Sequence, residues 1–265
     1  MPKPSLRLAI ALALALFAAP AFAQSEAQKK GYEISARSDA SDRGFGDSRV
    51  EATMILRNAA GQSTERALSF QTLEKENDDV GDKSLVVFKS PRDVEGTALL
   101  SHANILTPDD QWLYLPALKR VKRISSANKS GPFVGSEFAF EDFTATELKK
   151  YAYEWLREET VDGVVMDVVS RTPLYENSGY TKQIAWVDQD VFQVRKVEFY
   201  DRKAALLKTL WLEDYREYDG VWRSHKFRMV NHQSGKETDL VYGDFAFKTG
   251  FGPSDFTPAV LERIR

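Results

Sequence analysis

The chain has 265 residues, of which 43% are hydrophobic and 28% are charged, and its formal net charge is -3. This length is sufficient to bury a core without metal or disulfide support, and the composition excludes wholesale disorder and collagen-like repeats. Because the chain contains no cysteine, disulfides, thiolate metal sites, cysteine nucleophiles and cysteine-linked lipid anchors are excluded.

The first 23 residues are typical of a secretory signal peptide. Lys3 and Arg7 precede an apolar run at 8–17, and the alanines at 21 and 23 match the small-x-small cleavage pattern. A retained membrane anchor is the alternative, but the run is shorter than the roughly 20 apolar residues of a spanning helix. We therefore expect cleavage after residue 23, a single mature domain over residues 24–265, and a soluble periplasmic protein.

Alternation of polar and apolar residues with a period of two dominates the mature chain and predicts β-strands. Short turn-like sequences separate the strands, so an up-and-down antiparallel meander is expected, because parallel crossovers would need intervening helices. Helices are expected only at 26–37, near 138–148 and after Pro258. The predicted strands are 50–56, 67–73, 84–88, 96–105, 111–115, 121–124, 151–158, 164–171, 181–187, 191–200, 208–218, 221–231 and 237–247.

The sequence contains few candidates for catalytic or metal-binding chemistry. No Gly-x-Ser-x-Gly motif is present, and the spacing of the histidines is not that of metal ligands, so we expect all three to be structural. They are His102, His225 and His232. We expect no metal ion and no cofactor.

Two groups of carboxylates are candidate functional sites. Asp78, Asp79 and Asp82 could bind calcium, but no twelve-residue loop pattern surrounds them. Glu141 and Asp142 could serve as the acid and base of a secreted hydrolase, although adjacent carboxylates are much commoner in turns and caps. Hydrolysis is accordingly the last of three functional hypotheses, and we expect the protein not to be an enzyme.

An aromatic and basic segment at 110–143 is the most distinctive part of the sequence. Trp112 and Tyr114 precede four cations, Lys119, Arg120, Lys122 and Arg123, which we call the basic cluster. Such a cluster can bind a phosphate headgroup or an acidic partner; nucleic acid is disfavoured by the secretion signal and the acidic mature chain. The alternative is a solvated hairpin whose charges prevent edge-to-edge aggregation.

The chain is also rich in large aromatic side chains, with 16 Phe, 10 Tyr and 5 Trp. A simple sheet with one solvated face would not need so many. Either two sheets pack as a sandwich, or one curved sheet encloses an apolar cavity. The composition alone leaves both possibilities open.

Several segments of this region resemble the outer-membrane lipoprotein-sorting protein family, the LolA-like group of periplasmic proteins. The segments that carry the resemblance are Phe88–Thr97, Trp112–Pro116, Arg120–Ile124, Phe133–Phe138 and Glu141–Phe143. The resemblance implies a mainly β fold, a strongly curved antiparallel sheet that forms an unclosed barrel covered by a few short helices. It also implies an apolar cavity for acyl chains and association with lipid exporters of the resistance-nodulation-division type. It supplies no catalytic residues.

We therefore expect a monomeric periplasmic carrier that binds the acyl chains of a lipid or lipoprotein and transfers the lipid between membrane partners, an inner-membrane exporter or an outer-membrane acceptor. The alternative is an accessory protein that docks on a membrane transporter and binds no ligand. Because the chain is longer than the archetypal lipoprotein carrier, the cargo can equally be a phospholipid or another exported lipid. The expected cavity or lid residues are Trp112, Tyr114, Phe138 and Phe140, and the expected headgroup or partner contacts are Arg120 and Arg123.

Overall fold

The computed structural model describes residues 24–75 and 80–264, so the predicted signal peptide and the calcium candidates Asp78 and Asp79 lie outside the described residues. Within these ranges the chain forms two α-helices, α1 (Glu26–Ser41) and α2 (Pro258–Leu261), and fourteen strands. The strands are β1 (Asp47–Arg57), β2 (Ser63–Leu73), β3 (Lys83–Ser90), β4 (Ala98–His102), β5 (Asp110–Leu115), β6 (Arg120–Arg123), β7 (Tyr151–Val161), β8 (Val164–Pro173), β9 (Lys182–Asp188), β10 (Val194–Tyr200), β11 (Leu206–Tyr218), β12 (Val221–Asn231), β13 (Glu237–Tyr242) and β14 (Ala246–Phe247).

The strands form one antiparallel sheet built from two meanders. Strands β1 to β6 follow one another in space, as do β7 to β13, and the meanders join where β1 pairs with β13. Strands β6 and β7 are left as the two free edges. The sheet is strongly curved but not closed, which confirms the predicted fold class.

Most predicted elements are present with bounds shifted by a few residues, and two differ in more than their bounds. The strand predicted at 237–247 divides into β13 and β14, because the chain advances four residues from Tyr242 to Ala246 while the paired β1 advances three, from Ala52 back to Arg49. The helical segment predicted near 138–148 forms two 3-10 helices, Phe140–Phe143 and Leu148–Lys150, and no α-helix. The backbone amide of Phe140 donates instead to the carbonyl of residue 131, and that of residue 141 to the carbonyl of residue 129, so only short 3-10 turns form.

The two faces of the sheet are covered by different parts of the chain. The connection from β6 to β7, residues 124–150, lies across one face, which we call the inner face; we call this connection the crossing segment. Its Phe133 is fully buried and packs against Phe88 and Phe143, with ring centroids 5.6 and 4.4 Å away. On the outer face of β3 to β5, the C-terminal residues 251–264 bury Phe256 and Leu261.

Helix α1 lies on the inner face as well, against the edge strand β7. It begins with a capping box in which the Ser25 hydroxyl accepts from the Gln28 amide and the Gln28 side chain accepts from the Ser25 amide. Its buried Ile34 packs with Tyr153, Val169 and Val187 of the inner face. Helix α1 and the crossing segment together therefore cover the inner face.

Candidate ligand cavity

A cavity of about 510 Å³ lies between the inner face, helix α1 and the crossing segment. Helix α1 contributes Ser35, Ser38 and Asp39 to its lining. The lining is mixed: many polar and charged side chains face the cavity, and strand residues of one parity form a continuous apolar wall on the inner face. The apolar wall includes Val50, Phe70, Phe138, Val169, Ala185, Val187, Val197, Phe199, Leu210, Leu212, Phe227 and Tyr242.

The crossing segment is fixed to the sheet by three buried lysine–carboxylate pairs. Lys208 of β11 lies 2.6 Å from Asp142, and Lys75, which follows β2, lies 2.7 Å from Glu147. Lys150 at the end of the segment pairs with Asp109, which precedes β5. Both partners of each pair are largely buried, so removing either one would leave an uncompensated charge.

Glu141 holds a separate loop against the crossing segment. Its carboxylate accepts from the amide of Gly179 at 2.8 Å, from the Ser178 hydroxyl at 3.1 Å and from the Tyr175 hydroxyl at 3.4 Å. Burial, together with the neighbouring charge of Asp142, raises the pKa of Glu141 to about 7. A β-carbon at residue 179 would lie 2.6 Å from a Glu141 carboxylate oxygen and 2.8 Å from the β-carbon of Ser130, so glycine allows this close approach.

The predicted aromatic residues occupy three environments. Phe138 lines the cavity, whereas Phe140 packs against the same core through an edge-to-face contact with Phe133, 5.6 Å between ring centroids. Trp112 and Tyr114 point to the outer face, where they pack with the C-terminal residues around Phe256. The structure thus brings one of the four predicted aromatic residues to the cavity wall.

The basic cluster lies at the free edge formed by β6, away from the cavity lining. Its members are exposed. Arg123 pairs with Asp110 of the neighbouring strand, and this contact lowers the pKa of the Asp110 carboxyl despite its partial burial. Arg120 is exposed on the same short strand. The basic cluster is therefore accessible to a partner but does not contact the cavity.

The three histidines make structural contacts. His225 is buried, with one ring nitrogen 2.8 Å from the Tyr218 hydroxyl and the other 3.1 Å from the Tyr242 carbonyl. A His102 ring nitrogen lies 2.6 Å from the Phe256 carbonyl, and one of His232 lies 2.8 Å from the Thr209 hydroxyl. In the part of the chain that the structure describes, no three His, Asp or Glu side chains are grouped as metal ligands.

The sequence analysis missed most polar side chains of the cavity wall, and two of them form a cross-strand pair. Arg171 of β8 and Gln183 of β9 are directly paired across the strands and both line the cavity. The alternation within each strand shows which residues share a face with them but not that this face is the inner one. Their pairing depends on the register between β8 and β9, which the sequence did not supply.

An open curved sheet with a cavity on its inner face places this chain among the single-sheet cavity proteins and not among β-sandwiches. A family model described as an uncharacterized protein family matches residues 81–263. A domain from Vibrio parahaemolyticus described as an outer membrane lipoprotein-sorting protein is 50% identical, with 89% of this chain and 100% of that chain covered and a TM-score of 0.86. This chain belongs to the same DUF1329 family as its family-model match, and its likeness to this lipoprotein-sorting domain confirms the resemblance seen in the sequence.

Other solved structures agree with this fold. A DUF1329 family protein from Desulfovibrio piger is 29% identical, with 89% of this chain and 100% of that chain covered and a TM-score of 0.84. A LolA superfamily protein from Nitrosomonas europaea is 23% identical, with 87% and 98% covered and a TM-score of 0.69, and shows the fold alone. No curated protein matches the chain. Among the described residues, no helix has the length and apolarity needed to cross a membrane.

Proposed function

We propose that this protein is a periplasmic carrier that binds the acyl chains of a lipid or lipoprotein in the inner-face cavity and transfers them between membrane partners. The observation that carries the proposal is the cavity itself. Its volume of about 510 Å³ lies within the range of roughly 300–1,000 Å³ typical of small-molecule sites. The similarity to a domain described as lipoprotein-sorting supports the same conclusion.

The energetics of burial suit a carrier. Each methylene transferred from water to an apolar wall contributes about 0.8 kcal/mol. A chain of about sixteen carbons would therefore gain on the order of 12 kcal/mol before the costs of ordering it are subtracted. Such a ligand leaves only if the cavity opens, and the covering elements α1 and the crossing segment are the parts that must move.

The proposed location and partners rest on the sequence and on the free edge of the sheet. The signal peptide at 1–23 would deliver the chain to the periplasm. The exposed basic cluster would contact an inner-membrane exporter of the resistance-nodulation-division type or an outer-membrane acceptor. Charge reversal at Arg120 and Arg123 is expected to weaken that contact without changing the amount of bound lipid.

The cavity favours a carrier over the other two hypotheses. An accessory protein that binds no ligand would be expected to fill its inner face with side chains, whereas this face retains an open space. Asp142 is paired with Lys208, and Glu141 is bonded to the loop at 178–179. These contacts support a structural role for both carboxylates in holding the crossing segment, in place of an acid–base role.

Native mass spectrometry of protein purified without detergent, combined with titration of a fluorescent fatty acid, tests the proposal. We expect a co-purified lipid or saturable binding of the probe. In Leu212→Trp the larger ring would occupy the cavity, so binding should fall at least tenfold. Val241→Trp places the same ring on the exposed outer side of β13 and serves as the matched control. No lipid, no probe binding and no difference between these variants would refute the proposal.

A further inference from the structure

Three polar side chains form a row across the inner face. Tyr153 of β7 is paired with Arg171 of β8, and Arg171 is paired with Gln183 of β9. Phe199 of β10 continues the row beyond Gln183. Directly paired residues of an antiparallel sheet project from the same face, and all four line the cavity. We call Tyr153, Arg171 and Gln183 the polar row.

The side chains of the polar row have no hydrogen-bond partners among the described residues. The Arg171 Nε atom is buried and unsatisfied, and its guanidinium forms no ion pair in the described part of the chain. Gln183 is only 6% exposed, yet its side-chain amide makes no hydrogen bond there. Buried donors are nearly always paired in folded proteins, so the Arg171 Nε atom and the donors beside it are suited to bind an acceptor group of a ligand.

The other cations of the cavity lining already have carboxylate partners. Arg223 pairs with Asp42, Arg43 lies 2.5 Å from Asp39, and Lys75 lies 2.7 Å from Glu147. Arg171 therefore differs from the other described cations of the lining in having no carboxylate. An incoming anion would be attracted to Arg171 without having to displace an existing carboxylate partner.

We propose that the polar row binds the oxyanion of an anionic amphiphile, a carboxylate or phosphate joined to an acyl chain that lies along the apolar wall. The planar fork of an arginine matches such an oxyanion with two parallel hydrogen bonds. The Gln183 amide and the Tyr153 hydroxyl supply further donors beside it. Because burial raises the pKa of Tyr153 well above its ordinary value, the hydroxyl keeps its proton and can donate.

This inference rests on the proposed carrier function and names the headgroup that the carrier selects. It moves the headgroup site away from Arg120 and Arg123, which lie at the exposed edge strand, and into the cavity. The basic cluster then serves partner contact alone. The ligand would enter with its charged end directed at β7 to β9.

Isothermal titration calorimetry with palmitate, 1-hexadecanol and inorganic phosphate tests the inference, since the first two probes share a sixteen-carbon chain and differ in charge. We expect the wild-type protein to bind palmitate at least tenfold more tightly than hexadecanol. Loss of a charge-assisted hydrogen-bond pair typically weakens binding by about tenfold to a hundredfold. Arg171→Met should therefore weaken palmitate binding by that factor and leave hexadecanol binding unchanged.

Two further variants make the result specific. Arg171→Lys keeps the charge but loses the fork, so it should restore only part of the palmitate affinity. Arg228→Met removes an arginine that stacks 4.0 Å from the Trp211 ring, on the outer face, and should bind both ligands as the wild type does. Unchanged hexadecanol binding also reports that the Arg171→Met cavity is intact.

The possible failures are distinguishable. Equal binding of palmitate and hexadecanol, with neither altered in Arg171→Met, would overturn the headgroup site but leave the carrier proposal standing. Inorganic phosphate that binds as tightly as palmitate and depends on Arg171 would show a site for free anions, which also overturns the inference. Failure of both sixteen-carbon ligands to bind would refute the carrier proposal itself.

Discussion

Gly31 is the position at which helix α1 approaches the sheet most closely. A β-carbon placed there would lie 2.6 Å from the backbone nitrogen of Trp155 and 2.8 Å from the backbone carbon of Glu154. These atoms belong to the backbone of β7 and cannot rotate away as a side chain could. Gly31→Ala must therefore displace α1 from the strand that it covers.

We expect Gly31→Ala to destabilise the protein, although helix propensity alone would predict that it stabilises α1. Alanine is favoured over glycine inside a helix by about 1 kcal/mol, so an unconstrained helix would be stabilised. Overpacking typically costs about 1–3 kcal/mol, and a lifted α1 would also lose contacts of Ile34 and of Lys30, whose ammonium lies 3.5 Å from the centre of the Trp155 ring. We expect Gly31→Ala to lower the free energy of unfolding by about 1–2 kcal/mol.

Urea unfolding measures the free energy, and hydrogen exchange of the α1 amides measures whether the loss is local. Glu33→Ala is the matched control, because Glu33 is exposed on the same helix and the substitution changes propensity without contacting β7. The control should change stability by less than about 0.5 kcal/mol. A Gly31→Ala protein that is more stable than the wild type, with unchanged exchange of α1, would refute the close-packing argument.

Three other substitutions probe the core and the crossing segment. Lys208→Met leaves the buried Asp142 without its ion-pair partner, so it should lower the free energy of unfolding in urea by about 3–5 kcal/mol. The double variant with Asp142→Asn should recover part of that loss. If the losses of the two single variants simply add, the two residues do not interact as a pair. The pKa of Glu141 is raised to about 7, so between about pH 4.5 and 7 the folded state binds more protons than the unfolded state. The free energy of unfolding should therefore fall by on the order of 3 kcal/mol as the pH rises through this range. Unfolding at pH 5 and pH 8 should show a smaller decline in Glu141→Gln, and an unchanged decline would contradict the assignment. Phe256→Ala removes a fully buried ring on the outer face and should cost about 3–5 kcal/mol while fatty-acid affinity stays the same; a parallel loss of affinity would show that the two faces are coupled.

The fold was largely readable from local patterns. Strand β12 was predicted with the bounds that it has in the structure, Val221–Asn231, because Asp219-Gly220 marks its start and alternation runs without interruption to the turn after it. A succession of short turns leaves the meander as the simple topology. The pairing of β1 with β13, which joins the two meanders, links residues nearly 190 positions apart and was not predicted.

The cavity residues were harder to predict because alternation does not say which face is inward. Trp112 and Tyr114 share one face of β5, as expected from their spacing, but that face is covered by the C-terminal residues around Phe256. Nothing near position 112 in the sequence indicates this cover. Arg171 and Gln183 look like ordinary strand residues until the register between their strands is known.

The route of the chain has a mechanical consequence. Strands β6 and β7 are consecutive along the chain yet form opposite edges, so residues 124–150 bridge the gap between them. Fully extended, these 27 residues could span roughly 90 Å, far more than any gap in a sheet of this size. Chain length therefore does not limit how far the edges can separate.

The three buried lysine pairs set that limit instead. They join the crossing segment to β11, to the end of β2 and to the start of β5, so they attach it to the sheet at three separate points. Because buried pairs are screened little by salt, changing ionic strength should not release them. The separation of the two edges therefore depends on whether the three ion pairs remain formed. The crossing segment itself is long enough for the edges to separate without unfolding either meander.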